Sequence, residues 1–330
     1  MSKNDKLMQQ MINLFQERGE KAVEVSKQYA LADKISYQQL DSALQFFMQE
    51  IWFDFLHPAL ISLACEAVGG ETEKTINIGA AMVLLAGGAD IHDDIIDESS
   101  AKGATPTVFG KFGRDVAVLA GDVLLQKGLY LLHESCAYLP KDQKKEILEL
   151  VKNAFLEICG GEAHEAGLRG KTDISREEYL NIISQKVAAS EAALRIGAIL
   201  GGGSRNEIEQ LGHFGRIYGI LMTIRDEFID MYENDELRNR FDKECLPLPI
   251  ILVLKDKSRS EPILKLLRDD LSEDSVEKIL DLVMDAEETN QLLADMNGWI
   301  ENEVTLLSSL SHCRDVFKLL LQATVEDLNQ

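Results

Sequence analysis

Apolar positions along the chain recur at helical rather than alternating spacing, and the runs they form are interrupted at helix-length intervals. In LEICGGEAHEAGL, Leu156, Cys159 and Ala163 fall on one stripe. Turn signals at Gly69-Gly70, Gly103 to Pro106, Leu139-Pro140, Gly160-Gly161, Gly170 to Asp173 and Gly201 to Ser204 separate one helical segment from the next. The chain has six prolines, none between Pro140 and Pro247, and that stretch is rich in Leu, Ala, Glu, Ile and Lys. Within it, Ser175 to Leu200 reads as one long helix, with Ser175 as N-cap and Glu178 as its capping-box partner. No strand-turn-strand pattern, fixed-period repeat or Gly/Ser-rich linker stands out. The pattern predicts an all-α fold in a single domain over residues 1–330, with roughly ten or more helices and an N-terminal helical segment over residues 1–35.

A chain of 330 residues buries a large core, and a 45% hydrophobic content excludes disorder. The net charge of −22 argues against nucleic acid or an anionic membrane as partner, because both repel an acidic surface. It also means that an anionic ligand needs cations to approach. Five cysteines (Cys65, Cys136, Cys159, Cys245 and Cys313) stand in no paired spacing, which points to reduced thiols in the cytoplasm. The polar start MSKNDKLMQQ lacks a signal-peptide core, and no apolar run is expected to reach the ~18 residues of a membrane span.

The chemistry concentrates in two acidic motifs. In HDDIID, Asp93 and Asp97 share a helix face, with Asp94 beside them. Like charges at that spacing oppose the helix, and the LLAGGAD run before them implies burial, where unpaired carboxylates are costlier still. A hard divalent cation relieves both penalties, and Mg2+ takes carboxylate oxygens completed by water and substrate phosphates. The second motif, Asp226-Glu227-Phe228-Ile229-Asp230, repeats the spacing and follows the apolar run FGRIYGILMTI. One such pentapeptide fits a solvated helix face equally well; two in apolar settings do not.

The stretch IHDDIID…PTVFGKFGRDVAVLAGDVLLQKG resembles the first aspartate-rich motif of the trans-isoprenyl diphosphate synthases (polyprenyl synthetases) and the helix after it, and RDEFID resembles the second. SLACEAVGG, SQKVAA and KECLPLPIIL are similar to further landmarks of that family, in the family's order. The resemblance implies an isoprenoid-synthase-type helical bundle around a deep central cavity, usually dimeric. It implies that Asp93, Asp94, Asp97, Asp226, Glu227 and Asp230 hold three Mg2+ ions on the diphosphate of an allylic substrate. Lys186 and Lys243 match lysines that contact that diphosphate. The implied activity is a prenyltransferase of isoprenoid biosynthesis, condensing an allylic prenyl diphosphate head-to-tail with isopentenyl diphosphate.

The resemblance breaks where the family binds isopentenyl diphosphate. Its Gly-Lys-Arg-x-Arg-Pro stretch is here Phe53-Asp54-Phe55-Leu56-His57-Pro58, and its Arg-Arg-Gly is Lys102-Gly103-Ala104. The Phe-Gln pair before the second motif reads Met222-Thr223, leaving Thr223 as the substrate-side candidate, and the Thr after the cavity lysine is Val187. Charge-assisted hydrogen bonds contribute roughly 1.5–3 kcal/mol each, so losing two or three weakens acceptor binding by orders of magnitude. Lys102, His57, Lys111 and Arg114 are the available replacements. Three readings stay open: an elongating prenyltransferase, a terpene-synthase-like enzyme passing the allylic cation to another acceptor, or a non-elongating regulatory subunit of a heteromeric synthase. Retention of every metal carboxylate weighs against the third.

In the family, residues four and five positions before the first motif set product length; here they are Ala89 and Gly88. Small residues there either leave room for a C20 or longer chain or serve close helix packing. Asp90 either joins the first cluster or pairs with a local cation, His92 is expected to hydrogen-bond a neighbouring helix, and the tail TVEDLNQ lacks the family's basic end.

Overall fold

The structure, a computed structural model, describes residues 3–269, 271–307, 310, 312–325 and 328. Sixteen α-helices lie among them: α1 (Lys3–Leu31), α2 (Gln38–Phe46), α3 (Leu56–Ala67), α4 (Ile76–Ile96), α5 (Val108–Phe112), α6 (Arg114–Ser135), α7 (Lys141–Ala166), α8 (Arg176–Lys186), α9 (Ala188–Gly201), α10 (Arg205–Asp230), α11 (Asn234–Lys243), α12 (Leu248–Val253), α13 (Lys257–Arg268), α14 (Glu273–Met284), α15 (Glu287–Leu306) and α16 (Arg314–Ala323). The N-terminal segment is helical as expected, and the acidic tail beyond Val325, apart from Leu328, lies outside the described residues.

The arrangement follows from where apolar surface must go. α4 is apolar on every side from Ile78 to Ala89, and a helix of that kind belongs inside. It packs against α6, α1 and α3; α3 packs on α9, and α9 on α10 and α7. Buried apolar side chains run as one core from Met11 to Val325. Glycine sets the closest approaches: a Cβ on Gly197 of α9 would lie 2.2 Å from the Ile61 carbonyl oxygen of α3. By length and composition, Thr72–Ile96 and Arg114–Ser135 are apolar enough to cross a membrane, contrary to the expectation that no run reaches that length. α4 uses its apolarity in packing, and α6 lies along it on one side while leaving another apolar side exposed.

Three further expectations are corrected. Gly160-Gly161 is not a turn but lies inside α7, where a Cβ on Gly161 would press on Gln185 and Lys186 of α8 at 3.0 and 3.1 Å. The helix from Ser175 breaks at Val187 (φ −89°, ψ 12°), where α10 passes so close that a Cβ on Gly219 would sit 2.6 Å from Val187 Cβ. Ser175 does cap α8, accepting from the Glu178 N–H. Lastly, a two-stranded hairpin, β1 (Ala101–Lys102) and β2 (Thr105–Pro106), interrupts the helices after the first acidic motif. It turns on Gly103, whose φ of +59° only glycine adopts readily.

Candidate active site

The first acidic motif closes α4, with Asp93 and Asp94 in its last turn and Asp97 as C-cap. Asp93 and Asp97 are near enough to repel each other; burial, then that repulsion, lifts the Asp93 carboxyl to about 6. Burial and the neighbouring Glu244 bring Asp97 to about 6, while Arg169 holds Asp97 Oδ1 at 2.8 Å. Asp94 turns away from them. Lys102, delivered by the hairpin, reaches Asp90 Oδ1 at 2.7 Å and Asp94 Oδ1 at 3.0 Å. Asp94 is nevertheless raised to about 7, because burial outweighs that ammonium. Asp90 thus pairs with a local cation, and His92 reaches the Val118 carbonyl of α6 at 3.1 Å.

The second motif closes α10. Asp226 is the outermost of its acids, 3.3 Å from Arg225 Nη1. Asp230 is brought to about 6 by burial, against the pull of Arg240, whose Nε lies 3.8 Å away. Glu227, expected as a metal ligand, is committed elsewhere. Its Oε1 accepts from the Tyr179 hydroxyl at 2.8 Å and meets Arg240 Nη2 at 3.2 Å. Its Oε2 accepts from the Leu248 N–H at 2.9 Å. It is a buried strut joining α10 to α8, α11 and α12.

Lys186, at the end of α8, stands beside the first cluster, bound to Glu165 and, at 3.2 Å, to Glu162 of α7. Its charge acts on both Asp93 and Asp97. Glu165 and Glu244 lie within reach of both motifs, acting on Asp97 of α4 on one side and on Glu227 or Asp230 of α10 on the other. Lys243 at the end of α11 donates to the Glu98 carbonyl at 3.2 Å, tying the α11 end to the loop after α4. Glu162, Glu165, Arg169, Arg240 and Tyr179 were missed as site residues; the signal available for the two glutamates was their i,i+3 spacing in GGEAHEAG.

A hollow of about 480 Å³ opens between α4 and α7, with Asp93 and Glu162 at its polar edge and Ala89, Ile158, Ala163 and Ala166 among its walls. Ala89 therefore faces it, but Gly88 does not. A Cβ on Gly88 would lie 2.7 Å from Leu125 Cγ and 2.9 Å from the Gly121 carbonyl of α6, so helix packing is what Gly88 serves. Thr223 is half-buried in α10 and lines neither this hollow nor the second one described below.

Two observations bear on a metal. Asp93 Oδ1 is buried without a hydrogen-bond partner. Among the described residues, no three His, Cys, Asp or Glu side chains converge to hold an ion by themselves. That combination fits Mg2+, which takes one or two carboxylates and completes its shell with water and substrate phosphate.

The profile of the polyprenyl synthetase family matches residues 55–283. The chain belongs to that family. Among curated members, it is 35% identical over 182 residues to the short chain isoprenyl diphosphate synthase of Methanothermobacter thermautotrophicus, covering 55% of each chain. It is 30% identical over 182 residues to the geranylgeranyl diphosphate synthase of Sulfolobus acidocaldarius, again over 55% of each. The matched stretch thus spans about half the length of these curated relatives. The fold is that of the geranylgeranyl pyrophosphate synthetase of Pyrococcus horikoshii, with a TM-score of 0.85 over 97% of this chain and 99% of that one at 24% identity.

Against that family background, each cation considered as a replacement in the acceptor half is already engaged. His57 lies 2.8 Å from Asp54; burial opposes its charge, but Asp54 outweighs burial and raises the imidazole. Lys102 is held by Asp90 and Asp94, Lys111 stands 3.4 Å above the Phe46 ring, and Arg114 lies 3.6 Å from Glu98.

Proposed function

We propose that this chain is a prenyltransferase of isoprenoid biosynthesis that ionises an allylic prenyl diphosphate, in a Mg2+-dependent step, at the acidic ends of α4 and α10. The observation that carries this reading is the buried, unpartnered Asp93 oxygen beside Asp97, on the edge of an apolar hollow, with Glu244 within reach of both Asp97 and the Asp230 of α10. Asp93 and Asp97 from α4, with Asp226 and Asp230 from α10, would hold the metal. Mg2+, when bound, supplies Lewis-acid stabilisation of the departing diphosphate. Lys186 and Lys243 add positive charge for the same group, Lys186 by exchanging its glutamate partners for phosphate oxygens. The hollow takes the hydrocarbon tail and keeps water from the reacting carbon. Its small Ala89, Ala163 and Ala166 favour a C20 or longer chain.

Head-to-tail condensation with isopentenyl diphosphate is what the relatives' names suggest. The engaged cations of the acceptor half favour a second reading, in which the allylic cation goes to another acceptor. The enzyme works as a single-domain homodimer in the cytoplasm. Val118, Leu119, Leu129 and Tyr130 of α6 and Phe155 and Leu156 of α7 are exposed apolar side chains suited to a second copy, and all five cysteines are free thiols.

The test is release of diphosphate from geranylgeranyl diphosphate by the purified chain. Release requires Mg2+, stops with chelator, and falls about a hundredfold or more in Asp93→Asn and in Asp226→Asn. Release that persists in chelator, or in both variants, refutes the reading.

A further inference from the structure

A second hollow, of about 410 Å³, lies on the other side of α4 and shares Asp90 with the first, so its occupant stands beside the reacting end of the prenyl chain. Its walls come from an unusual piece of backbone. After α2 the helix widens over Phe47–Ile51, the Trp52 N–H reaching back to the Phe47 carbonyl at 2.9 Å. This turns Phe47, Trp52 and Phe53 onto the hollow, with Glu50 among them. Trp52 stacks on Phe47 at 5.3 Å and 17°, and its ring N–H donates to the Val83 carbonyl at 3.0 Å, so the aromatic wall is fixed. Gly87 makes the room: a Cβ there would lie 2.9 Å from the Phe47 ring.

The charge in this hollow has the wrong sign for a diphosphate. Glu50, Asp90 and Asp94 line it against a single ammonium, Lys102, and both aspartates already bind that ammonium. Glu50 is exposed at the rim of the hollow and, among the described residues, has no hydrogen bond or ion pair, so its carboxylate is open to water and to a ligand donor alike. The volume falls within the roughly 300–1,000 Å³ of small-molecule sites.

We propose that the second hollow receives an uncharged aromatic nucleophile bearing a hydrogen-bond donor, of the indole type, in place of a second diphosphate. This rests on the ionisation reading above and names its acceptor. The allylic C–O bond breaks with its electron pair leaving on the diphosphate. A ring carbon of the acceptor forms the new C–C bond from its π electrons, and the proton on that carbon passes to Glu50. The products are the prenylated ring and diphosphate. Trp52, backed by the buried Phe47, borders the acceptor and the cation as it forms, and Phe53 closes the exposed side with Lys27 Nζ 4.1 Å from its ring centroid.

The purified chain is incubated with Mg2+ and geranylgeranyl diphosphate, with isopentenyl diphosphate in one arm and indole in another, and products are followed by mass together with released diphosphate. The expected result is a geranylgeranyl-indole adduct and no product one isoprene unit longer. In Phe53→Ala and Glu50→Gln the ratio of adduct to released diphosphate is expected to fall at least tenfold. Elongation in the isopentenyl diphosphate arm overturns the proposal, as does an adduct-to-diphosphate ratio unaffected by both variants. Diphosphate release with no adduct overturns the acceptor assignment and leaves ionisation standing. No release in any arm overturns both.

Discussion

Both carboxylate oxygens of Glu227 are occupied, by Tyr179, Leu248 and Arg240, although its motif position marks it as a metal ligand. Spacing alone shows which acids share a helix end, not which are spoken for, because the three partners come from α8, α11 and α12. Glu227→Gln keeps the shape and removes the charge that offsets Arg240, and it is expected to lower unfolding stability by about 1–3 kcal/mol. Chemical denaturation measures this; unchanged stability with weakened Mg2+ binding would restore Glu227 to the ligand set. Asp94 teaches the same lesson, since Lys102 and not the first hollow receives it. For Ala89 and Gly88 the sequence left two readings open, and packing divides them. Ala89→Phe is expected to shorten the longest allylic diphosphate that is turned over, read from rates with C10, C15 and C20 substrates. An unchanged length profile removes Ala89 from the cavity wall.

Helices were legible from periodicity and proline placement because each depends on its own residues, and the Ser175 cap was legible for the same reason. What escaped was decided by neighbours: the break at Val187, pressed by α10, and the uninterrupted path of α7 through Gly160-Gly161. Glycine in a helix interior is less favourable than alanine by about 0.8–1 kcal/mol, so propensity alone makes every Gly→Ala change stabilising. Contact reverses the sign where helices touch. Gly197→Ala forces a methyl to within 2.2 Å of the Ile61 carbonyl and is expected to destabilise by about 1–3 kcal/mol. Gly298→Ala in α15 meets nothing within 4 Å and is expected to stabilise, by up to about 1 kcal/mol. Thermal unfolding of the two variants checks the pair; equal effects would mean that α3 and α9 separate without penalty.

At the scale of the whole molecule, the net charge of −22 is partly accounted for by acids gathered at the ends of α4, α7 and α10, around cations too few to neutralise them. The sequence announced this excess, but not that α4 divides it between two hollows, one apolar and one aromatic. If the exposed apolar side chains of α6 and α7 face a second copy, light scattering is expected to give twice the 36.8 kDa chain mass. Leu119→Lys with Tyr130→Glu is expected to shift that mass toward one chain, whereas a monomeric parent protein would leave the face without its second copy. The account as a whole depends on α4 and α10 gripping metal together. Crystals grown with Mn2+, which takes the same oxygen ligands as Mg2+, and inorganic diphosphate test this through anomalous scattering. The account predicts metal peaks between Asp93 and Asp97 on one side and Asp226 and Asp230 on the other, with diphosphate between them. Peaks at one cluster alone, or none at either, would contradict it.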